Sequence, residues 1–226
     1  MVKFLIDLKH NNKLKKMKQF LITSMLLISA STAVFAQEVN KMNAQGQKEG
    51  SWVGYYPKTN NIKYEGTFKN GKESGTFNFY ADSGEKKLIA TKEFKADGTV
   101  YSIFYSGKKK ISEGVYINKL KEGIWKVYHA DGKSVMSEEP YKNDKLNGIK
   151  KAYYISGNLS EEVGYKNGVE DGIWNQYAEN GVKIKETQYK NGILDGKLII
   201  RDQNGKVTDE AKYVNGSLIL PKKTTK

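Results

Sequence analysis

The sequence predicts an all-β fold, a single-layer, elongated antiparallel meander of about seven hairpin repeats. Three observations carry that expectation. Glycines open a unit at Gly50, Gly75, Gly98, Gly123, Gly148, Gly172 and Gly196, 23 to 25 residues apart, and self-similarity at a period of that order marks a repeat architecture. Aromatic and glutamate residues return at fixed offsets from those openers. Finally, 22 glycines stand against 3 prolines in 226 residues, which suits many turns between strands that keep their amide donors. Glycines and Asn-Gly pairs recur too often for helix.

Residues 1–36 stand apart from the repeats. Lys13, Lys15, Lys16 and Lys18 precede an apolar run, Phe20–Ile28, and small residues lead to Val34-Phe35-Ala36. That order is the one a secretory signal peptide takes, with cleavage expected before Gln37 and Met17 as an alternative start. The run is short for a bilayer span, so no transmembrane segment is expected after its removal. The chain is therefore expected to be exported, to the periplasm or the extracellular space. Residues 37–49 are polar and read as a flexible lead.

The repeat region spans 50–216. Two residues after each opener stand Trp52, Phe77, Val100, Trp125, Lys150, Trp174 and Leu198. Five after it stand Tyr55, Tyr80, Ile103, Tyr128, Tyr153, Tyr177 and Arg201. In the returning strand, Phe68, Tyr116, Tyr141, Tyr165, Tyr189 and Tyr213 lie two residues before Asn70, Asn118, Asn143, Asn167, Asn191 and Asn215. Three residues before each aromatic is a glutamate: Glu65, Glu113, Glu138, Glu162, Glu186 and Glu210. Side chains alternate faces along a strand, so an offset of three places Trp125 and Tyr128, or Glu138 and Tyr141, on opposite faces. One hairpin alone would be marginal, and stacked neighbours stabilise the array. About two strands per unit gives an expectation of roughly fourteen strands. Residues 217–226 read as a C-terminal tail.

The candidate chemistry is thin. A glutamate column can bind cations, but its recurrence points to structure, each carboxylate pairing with a cross-strand lysine or capping a turn amide. Trp52, Trp125 and Trp174 have the surface of sugar-stacking platforms, yet they sit in the repeat's own aromatic column and read as packing. Lys150 takes that column in the fifth unit and should mark a wetter, weaker place. His129, alone in the region after residue 36, reads as solvent-exposed filler, without a second His or Cys for a metal cluster. Gly132-Lys133-Ser134 lacks the earlier glycine of a phosphate loop and reads as a turn. Without cysteine there is no disulfide, thiol nucleophile, Cys-based zinc site or lipidated cysteine anchor. No cofactor, no metal and no enzymatic activity are expected.

Formal net charge is +13. Beyond residue 36, 32 Lys and Arg stand against 24 Asp and Glu, interleaved through every unit, so the charge reads as a solvated sheet surface. It permits contact with a membrane surface or an acidic partner. No nucleic-acid motif accompanies it.

The segment Tyr64-Glu-Gly66-Thr-Phe68-Lys-Asn70-Gly71 through Gly75-Thr-Phe77, repeated as Glu113–Asn118 through Gly123-Ile-Trp125, resembles the MORN repeat, more closely its bacterial variant form. The resemblance covers roughly 50–216, with departures in units two, three and seven. It implies a meander of hairpins serving as a protein- or membrane-associated scaffold. A protein or cell-envelope partner is therefore expected. Some bacterial relatives of the variant form are labelled antitoxins, which makes toxin neutralisation an alternative, beside a membrane-surface adaptor that binds anionic lipid.

Overall fold

A computed structural model describes residues 38–220; the expected signal peptide lies outside them. Among the described residues there is no helix, and so none long and apolar enough to cross a membrane. The strands form one open antiparallel sheet that follows chain order. They are β1 (Lys41–Met42), β2 (Lys48–Tyr55), β3 (Ile62–Lys69), β4 (Lys72–Tyr80), β5 (Leu88–Phe94) and β6 (Thr99–Ser106). Next come β7 (Lys109–Ile117), β8 (Leu120–Tyr128), β9 (Val135–Lys142), β10 (Lys145–Leu146), β11 (Gly148–Tyr153) and β12 (Leu159–Lys166). The last six are β13 (Val169–Tyr177), β14 (Lys183–Lys190), β15 (Ile193–Leu194), β16 (Gly196–Arg201), β17 (Val207–Val214) and β18 (Ser217–Ile219). The single-layer hairpin meander is thus the fold.

Eighteen strands replace the expected fourteen for two physical reasons. Two opening strands are broken just before their glycine, giving β10 with β11 and β15 with β16, where Asn147 and Asp195 donate their amides back to Pro140 and Gln188. This break lets Pro140, which has no N–H, sit in an interior strand. Two further short strands come from the segments expected as lead and tail. Lys41–Met42 pairs with Lys48–Glu49, and Ser217–Ile219 pairs with Lys212–Val214. Both shield part of an end strand.

Turn chemistry explains the hairpins. Asn70-Gly71, Asn118-Lys119, Asn143-Asp144, Asn167-Gly168 and Asn191-Gly192 have positive φ at both positions, the signature of the turn whose twist matches that of the strands. These turns stack on one another. Gly71, Asp144, Gly168, Gly192 and Gly216 donate to Lys48, Lys121, Leu146, Glu170 and Leu194 carbonyls of the preceding unit, at 2.7 to 3.1 Å. Carboxylates add to this, since Asn70 N donates to Glu49 at 2.7 Å and Asn143 N to Glu122 at 3.0 Å.

One unit departs from the expected register. Lys95 and Thr99 close a turn around Asp97-Gly98, so Gly98 is a turn glycine and β5–β6 runs without a bulge. Every other opener initiates a strand that is bulged or broken. The columns of that unit therefore fall two residues later. Ser102, not Val100, lies opposite Gly114, and Tyr105, not Ile103, ends the strand as Tyr80 and Tyr128 do.

Candidate functional site

The sheet has two faces of different chemistry. On one, aromatic rings lie directly over small residues of the strand before. A Cβ on Gly66 would meet the Phe77 ring at 2.3 Å, and one on Gly114 the Trp125 ring at 2.3 Å. Glycine in the motif is thus a seat for the next unit's ring. Phe77 and Trp125 are only 1% and 2% exposed, although no second layer covers them. Edge contacts run on to neighbours in the returning strands. Phe68 lies 5.2 Å from Phe77, Tyr116 4.9 Å from Trp125 and Tyr141 6.4 Å from Trp125. Lysines close the stack from above, with Lys121 Nζ 4.4 Å from Trp125 and Lys48 4.6 Å from Trp52. Trp174 is half-buried; it faces Val163, its Nε1 donates to Glu161 at 2.7 Å, and Lys185 lies 3.5 Å from the ring. Tyr189 sits beside it at 5.5 Å, and Tyr165 pairs with Gly148 and Glu170. Trp125 is packed away and its burial precludes sugar stacking, while Trp52 and Trp174 are half-buried in the same column.

The fifth unit exchanges the ring and its seat for an ion pair. Glu139 stands where Gly66 and Gly114 stand, and Lys150 reaches it at 3.2 Å. Lys150 is half-buried, contrary to the exposed, weak place expected. Burial pushes the Glu139 carboxyl up, but Lys150 and hydrogen bonds from Tyr141 and Ser137 outweigh it and hold it below the ordinary range.

The other face carries the glutamates. Glu65, Glu113, Glu138, Glu162 and Glu186 each accept a hydrogen bond from the residue fifteen positions on, in the next opening strand. Tyr80 donates to Glu65 at 2.8 Å, Tyr153 to Glu138 at 3.0 Å, Tyr177 to Glu162 at 2.8 Å, and Tyr128 to Glu113. Arg201 replaces the tyrosine and reaches Glu186 at 3.3 Å. The expected lysine partners are secondary; Lys86 joins Glu65, Lys110 joins Glu113 and Lys183 joins Glu186. Lys86 and Tyr80 together hold the Glu65 carboxyl below its ordinary range. Burial first, and then the glutamate, pushes the phenols of Tyr80, Tyr153 and Tyr177 up to about 12. Such carboxylates are committed acceptors, spread along the sheet in every returning strand from β3 to β14 except β5, where Thr91 takes the place.

His129 is half-buried rather than exposed filler. Its Nε2 lies 3.0 Å from the Tyr153 carbonyl and so carries the proton. Tyr56 and Tyr154 do the same work elsewhere, donating to the Tyr80 and Tyr177 carbonyls at 2.9 and 2.7 Å. Gly132-Lys133-Ser134 is a turn whose Asp131 accepts from Ser134 Oγ at 2.6 Å and from the Lys133 amide at 2.9 Å. Those bonds bring the Asp131 carboxyl down to about 2. No cluster of three metal-ligating side chains occurs among the described residues.

The glutamate face also exposes an apolar stripe that composition did not reveal. Ile124, Ile149 and Ile173 lie two residues before Lys126, Lys151 and Asn175, which pair with the glutamate row, so alternation turns all three to that face. Pro140 and Gly164 lie opposite Ile124 and Ile149. Ile124 is 54% and Ile149 46% exposed. Beside the stripe, the pairs flanking the turns are Ile117 and Leu120, Lys142 and Lys145, Lys166 and Val169, and Lys190 and Ile193. The sequence signal was present in the residue after each opener, which is apolar in three successive units.

Stacked hairpins with recurring ring seats and a recurring glutamate row define a solenoid-like repeat protein whose units touch only their neighbours. Residues 121–143 and 170–191 match the family model described as "MORN repeat variant", each match running from an opening strand to the asparagine of its turn. Two units of the chain thus match the MORN repeat variant, which supports a MORN-repeat protein. No curated protein matches it. Among solved structures, a mutant of S. aureus TarM in complex with fondaparinux, alpha-GlcNAc-glycerol and UDP aligns at a TM-score of 0.34 and 16% identity, over 43% of this chain and 19% of that one. The alignment thus spans about a fifth of that protein, and a score so low carries no argument about this one.

Proposed function

We propose that the protein is an exported, non-enzymatic scaffold whose glutamate face holds a protein or another component of the cell envelope. The observation that carries this reading is the stripe of exposed Ile124 and Ile149, continued by half-buried Ile173, on an otherwise ion-paired face. Contiguous apolar surface rimmed by polar groups marks interaction sites. Repeated hairpins fix these side chains at regular spacing along an open face, which suits a long, flat partner better than a small substrate. Export is supported by the charged, apolar and small-residue order of residues 13–36.

A photo-crosslinker at position 149 in the native host should label a discrete partner that is lost in Ile124→Lys, while one at Lys92 on the aromatic face should not. Equal labelling from both faces would overturn the assignment. A second reading, an anionic membrane surface, is favoured by the lysine and apolar pairs flanking the turns. It requires co-sedimentation with anionic vesicles that weakens as salt rises.

A further inference from the structure

The two ends of the sheet are finished differently. At the first, β1 lies against β2, Asn40 N donates to the Ser51 carbonyl at 2.9 Å, and Asn40 Oδ1 accepts from Val53 N at 2.8 Å. At the second, β17 pairs with β16 along its whole length but with β18 only at Lys212–Val214. The outer edge of Val207–Ala211 has no ladder partner among the described residues. Counting in twos from the closing pair Val214–Ser217, the N–H and C=O groups of Glu210 point outward, while Thr208 is the extra residue of the register shift between Val207 and Asp209.

Among the described residues, both seats that a following unit would fill are open at this edge. Glu210 is the sixth member of the glutamate row. The five before it each hold the phenol or guanidinium of the next opening strand. Glu210 is exposed and makes no hydrogen bond among the described residues. On the opposite face Ala211 stands where Gly66 and Gly114 lie beneath rings, opposite Leu198. It borders an open groove of about 320 Å³ walled by Leu198, Ile219 and Leu220.

We propose that the free edge of β17 is a strand-addition site for a partner protein. It takes an extended segment with an aromatic residue followed three positions later by tyrosine or arginine, running antiparallel to β17. The backbone supplies the ladder, Ala211 seats the ring, and Glu210 accepts from the tyrosine or arginine. Added strands gain affinity from main-chain bonds and specificity from alternating side-chain sites. The occupant's chemistry is set by the chain's own examples, Trp125 with Tyr128 on Gly114 and Glu113, and Trp174 with Tyr177 on Val163 and Glu162. This deepens the scaffold reading by placing a second contact on an edge, away from the isoleucine stripe.

The test uses a labelled synthetic peptide with the sequence of residues 169–178 and the full chain, read by fluorescence anisotropy and by amide exchange. Saturable binding should slow exchange at Glu210. Glu210→Ala should weaken it at least fivefold, and so should Tyr177→Phe in the peptide, with little further loss when the two are combined. Ala211→Trp, which fills the ring seat, should abolish it, with an unchanged circular dichroism spectrum showing that the variant folds. Binding indifferent to both protein variants would overturn the proposal, since it would report exchange with an internal strand. Binding seen only after deletion of residues 221–226 would also overturn it, because the chain's own tail would then fill the edge. Absence of peptide binding, with dimers lost in Ala211→Trp, would assign the edge to a second copy and overturn it as well. Crosslinking from position 149 is independent of these variants, so failure at the edge leaves the face assignment to its own test.

Discussion

Glu139 and Lys150 show how one position can switch chemistry without disturbing the repeat. At Gly66–Phe77 and Gly114–Trp125 that pair of sites holds a small residue and a ring, so apolar burial stabilises the contact. Here it holds two half-buried charges at 3.2 Å. Removing one partner leaves a poorly solvated charge, which costs more than an exposed lysine would. Lys150→Ala should therefore destabilise by about 2 kcal/mol in urea unfolding, and Glu139→Gly by a similar amount. The double replacement Glu139→Gly with Lys150→Trp restores the seat-and-ring pair of Gly114 and Trp125. It should be at least as stable as the natural chain, giving a coupling above about 1 kcal/mol. Additive losses would mean that the column is not a shared contact. The pairing was hidden in the sequence because each residue alone looks like surface charge. Only the register that brings residue 139 opposite residue 150 reveals it. His129 was misjudged for a related reason, since its partner is a backbone carbonyl, which no residue pattern announces.

At the scale of the strand pair, the phenol–glutamate bonds tie each returning strand to the next opening strand. Their pH dependence follows from the tyrosines. Below pH 10 both folded and unfolded chains keep the phenolic protons. Between the ordinary phenol value of 10 and the folded value of about 12 for Tyr80, Tyr153 and Tyr177, only the folded chain keeps them. Unfolding then releases protons, so stability falls across that window. The urea midpoint should drop steadily from pH 10 to pH 12, and the drop should be shallower in Tyr153→Phe with Tyr177→Phe. A midpoint flat across this range would show that the phenols are not engaged. Much of this element was legible beforehand, because Asn-Gly turns and the alternation of strand faces follow from local rules. The third unit escaped those rules. A glycine in sequence does not say whether it turns the chain or opens a bulge, and Gly98 turns it. The end strands β1 and β18 escaped as well, being too short and too polar to show alternation.

For the whole molecule, the faces and the free edge matter more than any pocket. Which residues share a face could be counted from the sequence, but which face stays open depends on how completely lysines and rings cover each other. The aromatic face, the more apolar of the two in composition, buries Phe77 and Trp125 within a single layer, while the isoleucines on the charged face remain exposed. Because successive strands are joined by tight turns and bonded only to their neighbours, a pull on the two chain ends would load the sheet from its edges, one rung at a time. Such a sheet should peel rather than shear. Stretched between two attachment points, it should lengthen in steps of one unit, 24 or 25 residues in most of the array, or about 80 Å each. Force spectroscopy should record a low, repeated sawtooth, whereas a single high peak would contradict unit-by-unit peeling. A sheet that peels in this way would act as an extensible tether, lengthening under tension and rewinding when the tension falls.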